Sequence, residues 1–274
     1  MTRYGMAVPA VALLVSLGIP SAGQTTDDSS NVSRYVAPMQ TPAQGAPTTA
    51  KTVSSEEMAD IQMARKDYHD AALSYKKLVD ANPKNAVYWN KLGIALHQQE
   101  ELSSALKSYQ QATKVDPKYA DAQNNIGTIW YQRKKYGKAI RSYQRAIKIR
   151  SDMAVLYSNL GYAYFGDKKY QESIAAFRQA LAIDPQVMEH ASSRGGSLLQ
   201  DRSVTDRGRF YFLLAKSFAE AGNSDRALIY LRKAKEEGYA RMNEVNTDPA
   251  FSAMVKLPET QEILQPKTQD PTLP

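Results

Sequence analysis

The chain contains no cysteine. That absence removes disulfides, thiolate nucleophiles, cysteine-held metals and a lipidated cysteine from consideration. Histidine is nearly as scarce, and His69, His97 and His190 stand on separate stretches without ligand spacing. No nucleophile elbow, phosphate loop or paired acidic motif occurs either, so no catalytic residue, metal or cofactor is expected and the reading is of a non-enzyme. Long apolar runs are also missing. The longest, Met6 to Ile19, has about 14 residues, too few to cross a bilayer core of roughly 30 Å as a helix. Arg3 precedes it and Ser21-Ala22-Gly23 follows, the layout of a signal peptide over residues 1–23. The expectation is an exported protein, periplasmic or secreted, with no transmembrane anchor after cleavage; the alternative is a tether left uncleaved. Residues 24–54 form a Thr, Ser, Pro and Ala-rich linker with too few large apolar side chains to offset ordering entropy, and residues 265–274, with three prolines, read as a disordered tail.

What the chain does have is a period. Glycine recurs at Gly93, Gly127 and Gly161, and proline at Pro83, Pro117 and Pro185 with Ser151 out of step, a repeat of 34 residues. Around these positions the second unit places Trp89, Leu92, Leu96, Leu102, Ala105, Tyr109 and Ala112. Matching slots hold Ile126, Trp130, Tyr136, Ala139, Tyr143 and Ala146 in the third, and Leu160, Tyr164, Tyr170, Phe177 and Ala180 in the fourth. The apolar residues fall three, four and seven apart in two runs separated by a polar turn such as Gln98-Gln99-Glu100, which predicts two antiparallel helices per unit. Glycine and alanine stand where the two backbones must approach to within about 8–10 Å. Asp116-Pro117 and Asp184-Pro185 end one helix pair and release the chain into the next. Ser54 followed by Glu57 has the spacing of a capping box.

This pattern resembles the tetratricopeptide repeat. The resemblance implies an all-α, right-handed α-solenoid with four tandem units at 52–85, 86–119, 120–153 and 154–187, a fifth at 208–241 from about Gly208, and capping helices over 242–264. Residues 188–207 break the period and read as an irregular insertion, a loop with a short helix around Leu198. Such a unit cannot bury its apolar side alone, so copies stack and leave a wall open to partners.

In this architecture the first helix of each unit lines a concave groove. The slots facing it hold Asn90, Ile94, His97 and Gln98, then Asn124, Thr128, Tyr131 and Gln132, then Ser158, Tyr162 and Phe165. Amides, hydroxyls and rings on a rigid wall suit an extended peptide or a partner helix; Asn125 and Asn159 adjoin the set and read as ordinary family composition. Of the lysine, asparagine and arginine that clamp a terminal carboxylate in some family members, only Asn125 has a match here. Charge supplies a second candidate. The chain carries +7 at neutral pH, and the third unit alone holds eight basic residues against Asp121 and Asp152. Lys134, Lys138, Arg141, Arg145 and Lys148 are spaced four, three, four and three, a stripe on the outer face of that unit's second helix that would attract an acidic partner or an anionic surface. Nucleic acid is an unlikely ligand for it, since Tyr136 and Tyr143 occupy packing slots and cannot serve as stacking platforms. The combined expectation is a scaffold of the cell envelope that binds a protein through its groove; the alternative is an envelope factor that recognises an anionic polymer or membrane surface through the stripe.

Overall fold

The computed structural model describes residues 53–188 and 204–265. The expected signal peptide, most of the linker, the centre of the insertion with Leu198, and the tail beyond Gln265 lie outside the described residues. Among those described there is no strand. Eight helices follow one another in pairs: α1 (Ser55–Arg65) and α2 (Tyr68–Ala81), α3 (Ala86–Gln98) and α4 (Leu102–Val115), α5 (Ala120–Gln132) and α6 (Tyr136–Ile149), α7 (Ala154–Gly166) and α8 (Tyr170–Ile183). A fifth pair, α9 (Val204–Glu220) and α10 (Ser224–Glu236), is followed by two 3-10 turns and a final short helix, α11 (Pro258–Leu264).

Helix starts follow local chemistry. Ser54 and Glu57 form the expected capping box: Ser54 N–H donates to Glu57 Oε2 at 2.8 Å, and Glu57 N–H to Ser54 Oγ at 3.1 Å. Asn85 caps α3 by accepting from the backbone of Val87 and Tyr88. Between units, Asp116 and Asp184 fold their carboxylates back onto the backbone N–H groups of Lys118 and Gln186, each at 2.9 Å. Trp89 Nε1 donates to the carbonyl of Pro83 at 2.9 Å, tying the first inter-unit turn to the helix after it.

Inside each pair the backbones cross at the small residues. A methyl group added at Gly93, Gly127 or Gly161 would stand 2.5, 2.5 or 2.6 Å from a ring carbon of Tyr109, Tyr143 or Phe177. Ala105, Ala112, Ala139, Ala146 and Ala180 are fully buried beside them. Gly166 closes α7, with the space of its missing side chain filled by the ring of Tyr136.

One boundary differs from expectation. The helix assigned to the fifth unit begins at Val204, so the limit drawn between 207 and 208 falls inside α9. Arg207 lies in the first turn of that helix, and its guanidinium reaches Glu237 at 2.9 Å. The closing segment contains two 3-10 helices, which bury Val245 and Phe251, and the α-helix Pro258–Leu264. Phe251 packs on Phe212 at 5.6 Å between ring centres, and Met254 and Ile263 complete the seal over the last pair.

Candidate partner-binding face

The first helices of successive units lie side by side and are joined by polar rungs. Asn125 Nδ2 donates to Asn90 Oδ1 at 3.0 Å, linking α5 to α3. One unit on, Asn159 Nδ2 donates to Asn124 Oδ1 at 2.8 Å, linking α7 to α5. A third rung pairs His97 Nε2 with Gln132 Oε1 at 2.9 Å. Burial holds His97 below its ordinary histidine value, against the opposing pull of the Gln132 bond, so the ring is neutral and its other nitrogen faces Tyr109.

These rungs change the list of contact residues. Asn90, Tyr131, Ser158, Tyr162 and Phe165 are buried and offer little surface to a partner. At the fourth unit the reason is α9: Tyr162 stacks on Phe210 at 5.5 Å and Phe165 meets the same ring edge-on at 5.1 Å. Tyr131 instead closes its own unit against Tyr136. Asn90 serves as the acceptor of the first rung. Ile94, His97, Asn124 and Thr128 keep a half-exposed position, and Gln98 and Gln132 are exposed. Thr128 is engaged from below by the hydroxyl of Tyr143 at 3.4 Å. Asn125 and Asn159, set aside as composition, turn out to be the donors of the rungs. Their signal was in the sequence: Asn90 and Asn124 share one slot and Asn125 and Asn159 the next, so residues 35 apart meet across neighbouring units.

The exposed basic residues on α6 form a shorter run than their spacing implied. Lys138, Arg141, Arg145 and Lys148 are exposed on α6, whereas Lys134 lies in the preceding turn with a left-handed backbone (φ 56°), off the helix. Lys138 is already engaged, its ammonium 4.3 Å from the centre of the Trp130 ring, with Arg133 on the same ring at 5.6 Å. Arg141, Arg145 and Lys148 have no carboxylate partner among the described residues.

Three models of the tetratricopeptide repeat match the sequence, over residues 57–112, over 95–132 and 127–168, and over 154–187. The chain is a tetratricopeptide repeat protein. The matched span covers the first four units and stops before α9. Solved structures to which the chain is similar include a crystal structure of MamA, 23% identical, which covers 66% of this chain and 94% of that one with a TM-score of 0.48. MamA from Desulfovibrio magneticus RS-1 is 17% identical, with 67% and 92% covered and a TM-score of 0.49. YrrB, titled a TPR protein with an unusual peptide-binding site, is 15% identical, with 70% and 89% covered and a TM-score of 0.46. No curated protein sequence matches the chain. No helix among the described residues is long and apolar enough to cross a membrane.

Proposed function

We propose that this tetratricopeptide protein is an exported scaffold that holds an extended peptide or a partner helix along the first-helix face of its second to fourth units. The observation that supports the reading is the set of amide rungs. Each asparagine pair uses one donor and one acceptor internally and leaves the other amide groups of Asn124, Asn125 and Asn159 to be satisfied from outside. A peptide backbone carries donors and acceptors at a spacing that such a wall can meet, and Gln98 and Gln132 extend the row. The envelope assignment rests on residues 1–23, and amino-terminal sequencing of the mature protein is expected to begin at Gln24.

A photo-crosslinking residue at Gln98 or Gln132 is expected to trap the partner in the native envelope, and one at Arg145 is not. The reverse pattern would favour recognition of an anionic polymer or membrane surface, which Arg141, Arg145 and Lys148 support by lacking carboxylate partners. Reversing Lys138, Arg141 and Arg145 to glutamate separates the two readings. Groove binding survives with a slower on-rate, whereas stripe binding is abolished. Stripe binding also weakens steeply with added salt, because exposed charges are screened over roughly 8 Å at 0.15 M.

A further inference from the structure

The two ends of the array are built differently. At the carboxyl end, Phe251, Met254 and Ile263 close the last helix pair. At the amino end nothing comparable covers α1 among the described residues. In the second, third, fourth and fifth units the slot of Met58 is filled by Leu92, Ile126, Leu160 and Leu214, which are 5, 7, 8 and 2% exposed. Met58 itself is 45% exposed. The next slot shows the same contrast: Ala95, Ile129, Ala163 and Ser217 are fully buried, and Ile61 is 37% exposed. Leu73, also exposed, has a different explanation, since its slot holds Lys107, Arg141 and Ala175 on the open side of every second helix. Met58 and Ile61 are therefore stacking positions without a neighbour among the described residues.

The rotation of α1 is fixed by its other side. Lys91 Nζ on α3 holds Glu56 at 3.1 Å and Asp60 at 2.8 Å, and Asp60 also accepts from the hydroxyl of Tyr75. That leaves Glu57, Met58, Ile61 and Arg65 on the outward side, all exposed. Glu57 lies four residues before Ile61 and Arg65 four after, about 6 Å along the axis in each direction. Two such helices laid antiparallel about a two-fold axis through Ile61 bring Glu57 of each against Arg65 of the other, with Met58 and Ile61 between them. Arg65 has no carboxylate partner within its own chain among the described residues.

We infer that the occupant of this face is a second copy of the chain, bound amino end to amino end through α1. The capped carboxyl end blocks head-to-tail stacking, so the contact closes as a two-fold dimer and does not propagate into a filament. The inference is independent of what the first-helix face binds.

The test is sedimentation of the full chain from about 1 to 100 µM, a range that resolves micromolar association. A concentration-dependent dimer is expected; a monomer throughout overturns the proposal. Ile61→Glu is expected to raise the dissociation constant at least about 100-fold by burying like charges at the axis, with helical content unchanged since the position is exposed. Association that survives this change, for instance through the apolar run at residues 6–19, also overturns it. Charge exchange tests the geometry itself. Arg65→Glu alone and Glu57→Arg alone should each weaken self-association about 10-fold or more, while an equimolar mixture of the two variants pairs every charge and should dimerise as well as the unaltered protein. A mixture that behaves like either variant alone would exclude the antiparallel α1 contact.

Discussion

Gly127 illustrates how one residue can set the spacing between two helices. Its absent side chain leaves room for the buried ring of Tyr143, and the same arrangement recurs at Gly93 with Tyr109 and at Gly161 with Phe177. The first unit departs from it: Ala59 takes the glycine slot against Tyr75, and both are buried. A ring can therefore yield to a methyl group but not to a larger side chain. Gly127→Ala is expected to cost less than about 1.5 kcal/mol and Gly127→Leu about 3 kcal/mol, measured by urea denaturation. A leucine variant with the wild-type midpoint would remove the crossing from the argument. His97 gives a second residue-scale prediction. Its folded value is depressed below the 6.5 of an ordinary histidine by burial. The unfolded chain then takes up the proton first, so the contribution is intact above pH 6.5 and is lost as pH falls toward the folded value. The melting temperature should fall on acidification below that point, and His97→Gln should flatten the fall. Lowered carboxylates such as Asp60 and Glu57 titrate further down and leave this window to histidine.

Between the two helices of every unit the chain turns through one left-handed residue: Lys66, Glu100, Lys134, Lys168 and, in the fifth unit, Gly222. All five occupy the same slot of the repeat. Only glycine adopts that conformation without a steric penalty, so four of the five turns carry a local cost that the packing of the flanking helices imposes. Glu100→Gly is expected to raise stability by about 0.5–1 kcal/mol, and Gly222→Lys to lower it by about 1 kcal/mol, both read from thermal unfolding. A loss of stability in Glu100→Gly together with a gain in Gly222→Lys would mean that the turns are not strained. The helices themselves were legible beforehand, because three-and-four spacing of large apolar residues survives in all five pairs. The limits of α9 were not. Val204 to Arg207 fall in the stretch that breaks the 34-residue period, and the ion pair of Arg207 with Glu237, 30 residues on, leaves no periodic trace.

Across the array, coupling runs from neighbour to neighbour, since each unit packs on the one before and the one after. Phe251 is buried at one end only, against Phe212 of α9. Phe251→Ala should cost about 3–5 kcal/mol, with hydrogen exchange rising in α9 and α10 while α3 to α6 keep their protection. Uniform loss of protection would show a single cooperative block instead. The chemistry available to the protein was limited by composition before any folding was considered: without cysteine and with scattered histidines, few reactive constellations are open to it. Period and helix pairing were equally readable, because burial of a stripe along each helix must repeat wherever the same unit stacks. Which groove side chains stay accessible required the folded array. Tyr162 and Phe165 look like contact rings until α9, beyond the break in the period, brings Phe210 onto them; Met58 and Ile61 look like ordinary core, yet no described residue covers them. Accessibility belongs to the neighbours of a position, and sequence spacing within one unit carries no information about which neighbour the next unit supplies.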